Sequence, residues 1–194
     1  MSTQSEILLF IIDQLEQLDI SYMLVGSFAS NYWGRPRFTH DADMIVEIPA
    51  SKAMPLASAL EADFYAPEFA IEEAIAKRSH FNVIHLEQSF KVDFWVRRDE
   101  PYAREDFQRR RRVTMFGRPV WVNSPEDTIL NKLRWYKISP VLDRQLQDAL
   151  EVYEIQEPDL DQAYLDKWAA RLGVMDLLAH IRAKSALPPD EKQS

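Results

Sequence analysis

Two aspartates stand one residue apart in Thr39-His40-Asp41-Ala42-Asp43-Met44-Ile45-Val46, and the chain turns apolar directly after them. In a strand, residues two apart point to the same face, so Asp41 and Asp43 become neighbours at roughly 6–7 Å. Two like charges so placed repel each other unless a cation sits between them. Mg²⁺ takes hard oxygen ligands and keeps several waters, so two carboxylates and a substrate phosphate suit it. Upstream, Val25-Gly26-Ser27 reads as the turn from a strand into a helix. The backbone N–H groups of such a turn can hold a phosphate, glycine lets it approach closely, and the serine hydroxyl adds a donor. A third carboxylate, Asp93, lies inside the mostly apolar Phe90-Lys91-Val92-Asp93-Phe94-Trp95-Val96. A buried carboxylate without a partner is costly, so Asp93 is expected to face a site, where it would help hold a second ion and activate an attacking hydroxyl. Arg35 and Arg37 flank the approach to the aspartate strand and would meet phosphates there.

The elements that must position these residues follow from periodicity and punctuation. Residues 5–18 show apolar positions at helical spacing, with Ser5 as the expected cap. Residues 22–25 read as a buried strand and 27–33 as a short helix closed by Gly34 and Pro36. Met44 to Ile48 is strand-like, and 50–61 suggests a helix with Pro55 in its first turn. Segment 66–76 reads as a loop and short helix. Residues 81–86 and 90–96 form a predicted hairpin around Glu87-Gln88-Ser89, and 101–109 a helix. A second hairpin is expected for 112–116 and 119–122 around Gly117-Arg118. From Ser124-Pro125-Glu126-Asp127, a strong helix start, the signals are helical: 125–138, 141–154, 161–171 and 173–184. Ile138-Ser139-Pro140-Val141 predicts a break between the first two. The expected organisation is a mixed strand-and-helix core over 1–123, a helical segment over 124–185 and a polar tail over 186–194.

Composition narrows the classes. The chain has 194 residues, 46% hydrophobic and 28% charged, enough for a sizeable core. It has no cysteine, which excludes disulfides, cysteine nucleophiles and thiolate metal sites. The N-terminus lacks the basic residues that open a signal peptide, and no apolar run approaches the roughly 20 residues needed to cross a bilayer. No membrane association and a cytoplasmic location are therefore expected. A net charge of −8 disfavours a long nucleic-acid footprint, although Arg109-Arg110-Arg111-Arg112 offers a local basic patch. The four histidines show no metal-ligand spacing.

Gly-Ser, then Asp-x-Asp ahead of an apolar strand, then a single Asp on a later strand resembles the nucleotidyltransferase (polymerase beta-like) superfamily. The similarity extends to its minimal prokaryotic branch, which includes AbiE-type toxin nucleotidyltransferases. The matching positions are Gly26, Ser27, Asp41, Asp43 and Asp93. Lys132, Arg144 and Asp148 fall in a stretch that resembles the helical segment in which a Lys, an Arg and an Asp face the nucleotide. The resemblance implies an α/β (α+β) fold: a nucleotidyltransferase-type mixed β-sheet flanked by helices, with a C-terminal helical bundle. It implies Mg²⁺ or Mn²⁺ held by Asp41, Asp43 and Asp93, and a nucleoside triphosphate bound by Gly26, Ser27, Arg37, Lys132, Arg144 and Asp148. The expected reaction moves a nucleoside monophosphate to an acceptor hydroxyl on tRNA, a protein or a small molecule. Two other readings are a non-catalytic nucleotide- or partner-binding module, and the toxin component of a toxin–antitoxin pair with a cognate antitoxin as partner.

Overall fold

The computed structural model describes residues 3–140 and 143–188. Helix α1, Gln4–Gln17, buries Ile7, Leu8, Ile11, Ile12 and Leu15 along one stripe. Its cap is Thr3 rather than Ser5. Thr3 Oγ1 accepts from the Glu6 N–H, and the Glu6 carboxylate accepts from the Thr3 N–H at 2.6 Å. The glutamate three residues on selects the cap, since only Thr3 can form this reciprocal pair.

Strand β1, Ser21–Val25, runs into helix α2, Gly26–Trp33. Strand β2, Asp41–Glu47, starts earlier than the apolar run and so contains both aspartates. A 3₁₀ turn and helix α3, Ala53–Leu60, follow, with Pro55 in the first turn. The two-residue strand β3, Phe64–Tyr65, is too short to leave a periodic signal, and helix α4 is Glu68–Lys77. Strands β4, His80–His85, and β5, Lys91–Val96, form the predicted hairpin. Helix α5, Pro101–Gln108, precedes strands β6, Arg111–Met115, and β7, Arg118–Val122. The turn of this second hairpin is Phe116–Gly117 rather than Gly117-Arg118. Both residues have positive φ, 54° and 78°, the conformation that matches strand twist in a two-residue hairpin.

Among the described residues the strands form one seven-stranded sheet in the order β3-β4-β5-β2-β1-β7-β6. It is mixed: β2 pairs with β5 and β1 with β7 in parallel, while the other neighbours are antiparallel. The pleat separates the two faces cleanly. Ala42, Met44 and Val46 of β2 and Val92, Phe94 and Val96 of β5 are buried on one side. Asp41, Asp43 and Ile45, with Lys91, Asp93 and Trp95, occupy the other at intermediate exposure. Part of that second face is closed by α5, whose Phe107 packs with Met23, Val25, Ile45 and Trp121. The aspartates lie outside this cluster.

The C-terminal helices are α6, Pro125–Ile138; α7, Asp143–Gln156; α8, Gln162–Leu172; and α9, Met175–Ser185. Helix α6 begins as predicted, with Pro125 at its first position and Ser124 Oγ accepting from the Asp127 N–H at 3.1 Å. It stops at Ile138, where the break was expected. Of the helix expected over 141–154, residues 141 and 142 lie outside the described residues, as do 189–194 of the expected tail. The core of helices α6 to α9 is built from Ile129, Leu130, Leu133, Leu150, Leu165, Trp168, Leu178 and Ile181, all buried.

The chain divides into two compact units: Met1–Phe28 with Phe38–Val122, and Ala29–Arg37 with Asn123–Ser194. Within the second, Trp33 Nε1 donates to the Asn123 carbonyl at 2.9 Å and Gln156 Nε2 donates to the Trp33 carbonyl at 2.8 Å. These bonds attach residues 29–37 to the C-terminal helices. No helix among the described residues is long and apolar enough to cross a membrane.

Candidate functional site

The first unit brings Gly26, Asp41, Asp43 and Asp93 onto one sheet face. In the parallel register of β2 and β5, Asp43 stands opposite Asp93, and Asp41 opposite Lys91. In the antiparallel register of β1 and β2, Asp43 stands opposite Val25, the residue before Gly26. Gly26 has φ +61°, and a Cβ built there would lie 2.2 Å from Asp43 Oδ2. Both the backbone conformation and the space therefore demand glycine, and the Asp43 carboxylate closes directly over the turn that opens α2. Ser27 follows in the first turn of that helix.

The carboxylates have neighbours that fix them. Thr39 Oγ1 donates to Asp41 Oδ1 at 3.1 Å, and Trp95 Nε1–H donates to Asp43 Oδ1 at 3.4 Å. Lys91 Nζ donates to Asp93 Oδ2 at 2.5 Å. That hydrogen bond to Asp93, followed by the pull of Asp93, Asp41 and Asp43, outweighs desolvation and raises the Lys91 pKa above the ordinary lysine value. His80 stacks on Trp95 at 4.8 Å between ring centroids, extending an aromatic surface beside the carboxylates.

An all-oxygen carboxylate set suits a hard divalent ion, and the register gathers its members on one face. The side chains do not yet converge: among the described residues no group of three or more His, Asp or Glu is arranged to hold a metal ion. The reason is visible in the bonds above, since Asp93 turns to Lys91 and Asp43 to Trp95.

Lys132, Asp148 and Arg37 come together in the second unit. Asp148, 4% exposed, accepts from Lys132 Nζ at 2.6 Å and from Arg37 in a two-pronged pair, Nε at 3.0 Å and Nη2 at 2.8 Å. Ser30 Oγ donates to it at 3.4 Å. The Arg37 backbone is itself held by Asn31, which accepts from the Arg37 N–H at 3.1 Å and donates to its carbonyl at 2.7 Å. Burial opposes ionisation of Asp148, but the Arg37 hydrogen bonds and the Lys132 charge win, and its carboxyl is held below the usual aspartate range. Arg144 is exposed at the start of α7, one turn before Asp148 and outside this cluster. Arg35 pairs with Glu154 at 3.2 Å.

The basic run 109–112 is split by the junction of α5 and β6. Arg110 lies over the rings of Phe107 and Trp121, at 4.4 and 4.9 Å from their centroids, and Arg112 lies 5.8 Å from Trp121. His40 is exposed, packed edge-on against Phe38. The residues that sequence reasoning passed over are Lys91, Trp95 and Thr39. Lys91 and Trp95 carried a usable signal, since each is two residues from Asp93 in a strand and so shares its face.

Two solved structures are similar over nearly the whole chain. An antigenic nucleotidyltransferase-like protein from Paracoccidioides brasiliensis superimposes with a TM-score of 0.56 at 17% identity, covering 91% of each chain. ANT(2'')-Ia in complex with adenylyl-2''-tobramycin gives a TM-score of 0.57 at 18% identity, covering 95% of this chain and 100% of the other. No family profile and no curated protein sequence matches the chain. What is shared at such low identity is the architecture, and the chain has a nucleotidyltransferase-type fold: a mixed sheet flanked by helices, followed by a helical bundle.

Proposed function

We propose that this protein is a metal-dependent nucleotidyltransferase that moves a nucleoside monophosphate from a nucleoside triphosphate to an acceptor hydroxyl. The observation that carries the reading is the approach of the Asp43 carboxylate to Gly26, with Asp93 in register beside it. A glycine-opened helix start receives phosphate, and a cation-binding carboxylate stands against the same turn.

In this reading Asp41, Asp43 and Asp93 would hold the divalent ions, Mg²⁺ or Mn²⁺, and Gly26 and Ser27 would receive the β- and γ-phosphates. A bound divalent ion supplies neutralisation of phosphate charge and acidifies a hydroxyl near it. Asp93 takes the proton of the acceptor hydroxyl. The hydroxyl oxygen forms a bond to the α-phosphorus, the bond from that phosphorus to the bridging oxygen breaks, and pyrophosphate leaves. Thr39 and Trp95 keep the two β2 carboxylates oriented, so the chain's contribution is positioning and charge balance. Lys132, Arg37 and Arg144 are proposed to serve the nucleotide less directly. Arg144 is exposed, whereas Lys132 and Arg37 are engaged with Asp148.

The acceptor remains the variable part of the proposal. The chain's acidic balance favours a small molecule or a protein side chain over a long nucleic acid. The bound product named for ANT(2'')-Ia, an adenylylated aminoglycoside, makes polyhydroxylated amines a reasonable first panel. The test is incubation with Mg²⁺ and each labelled nucleoside triphosphate, with total RNA, cell protein or a panel of small polyols as acceptor. Transfer of label that is lost in both Asp41→Asn and Asp43→Asn supports the reading. Metal-dependent binding of nucleotide with no consumption of any of the four would favour a binding module instead.

A further inference from the structure

The acidic face carries a cation, Lys91. Lys91 precedes Asp93 by two residues on β5, so their side chains leave the same side of the strand. The register sets Lys91 opposite Asp41 and Asp93 opposite Asp43. The Lys91 ammonium is therefore flanked by carboxylates along its strand and across to the next, and it donates to Asp93 Oδ2 at 2.5 Å. Asp93 is mostly covered, with 16% of its side chain exposed, against 41% for Lys91. A lysine on a four-carbon stem at that exposure can leave its partner without unpacking a core.

We propose that Lys91 is a built-in counter-cation of the acidic face, a positioning residue that withholds Asp93 from a divalent ion until the ammonium is displaced. The inference rests on the reading that this face binds a divalent cation. It explains why carboxylates gathered by the register do not converge on one point: the third is already engaged. Engagement of Asp93 by the ion then requires breaking its bond to Lys91. As a structural ion pair alone, a half-exposed lysine of this kind would contribute little to stability and would affect metal affinity only through its charge, equally with or without the Asp93 carboxylate.

The experiment is a Mn²⁺ titration of the full chain at fixed ionic strength, following the electron paramagnetic resonance signal of free Mn²⁺. The proteins are the wild type, Lys91→Met, Asp93→Asn, the double variant Lys91→Met/Asp93→Asn, and Asp43→Asn, each with its melting temperature recorded. Lys91→Met is expected to bind Mn²⁺ about tenfold more tightly with little change in melting temperature. In the Asp93→Asn background the same substitution should tighten binding much less, because the competition is for Asp93. An equal gain in both backgrounds overturns the competition and leaves only a general charge effect. Unchanged or weaker binding in Lys91→Met, with binding lost in Asp43→Asn, overturns the role of Lys91 while sparing the cation site. Undiminished Mn²⁺ binding in Asp43→Asn removes the cation site itself.

Discussion

The two units each hold a cluster of charged side chains, and the clusters are balanced in opposite ways. In the second unit one carboxylate, Asp148, faces two cations and a hydroxyl, and every oxygen it presents is used. In the first unit the Lys91 ammonium stands among three carboxylates, Asp41, Asp43 and Asp93, and bonds to the last of them. Asp148 and Lys132 are both buried, where an incomplete pair would be expensive. The Lys91 face is half open, where a deficit of positive charge can be tolerated, and its surplus is negative. A finished buried network holds structure, and an unfinished exposed one has capacity left for a ligand.

The comparison can be broken most sharply at Asp43. If the open face is the site of chemistry, Asp43→Asn should lower nucleotidyl transfer by at least ~10³-fold while leaving the melting temperature unchanged or higher, because like-charge repulsion is relieved. A fall in stability without loss of transfer would place the two clusters in the same class.

Asp148→Asn should do the reverse. Neutralising Asp148 deletes a salt bridge whose two partners are both buried, at a cost of about 3 kcal/mol read from urea unfolding. The effect should be pH-dependent with a definite sign. The folded-state pKa of Asp148 is depressed, so its stabilisation is fully present above the ordinary aspartate range, near ~3.9, and is lost as pH falls through the lower folded value. The stability gap between wild type and Asp148→Asn should therefore narrow below about pH 4.

Gly26→Ala tests the junction of turn and carboxylate. The residue would need φ +61° and would meet Asp43 Oδ2. A destabilisation of about 2 kcal/mol, with weakened Mn²⁺ binding, is expected because the carboxylate must move. Gly117→Ala supplies the control. It shares a positive φ, +78°, but nothing lies within 4 Å of the added Cβ, so the cost should be about 1 kcal/mol of backbone strain with Mn²⁺ binding untouched. Equal effects at the two glycines would mean that the contact with Asp43 matters little.

Much of the first unit was legible because strands and glycines leave local marks. The alternation through Asp41, Asp43 and Met44, and the strand-to-helix turn at Gly26, are written in neighbouring residues and need only the pleat to interpret them. The same rule places Lys91 and Trp95 beside Asp93. The second unit was legible as helices but not as contacts. Ser124-Pro125 marks the start of α6 and Ser139-Pro140 its end, yet nothing local joins Lys132 to Asp148 across that break, or Arg37 to either. Burial is a tertiary property: the sequence offers Asp148 as a helix-surface acid, whereas packing makes it a buried anion with three donors. The Thr3 cap and the Phe116–Gly117 turn were missed by one or two residues, because reciprocal capping and mirror-type turns are chosen by backbone geometry that several adjacent residues could satisfy.

The pleat of β2 and β5 gives the acidic face a hidden dependence. Ala42 and Met44 alternate with Asp41 and Asp43, and Val92 and Phe94 bracket Asp93, all of them buried on the opposite side. The spacing of the carboxylates is thus a readout of how tightly the apolar side is filled. A Phe94→Leu or Met44→Ala change, at positions with no solvent exposure, would leave a cavity behind the strands that carry the carboxylates. In this sheet, core and acidic surface are the two sides of one backbone.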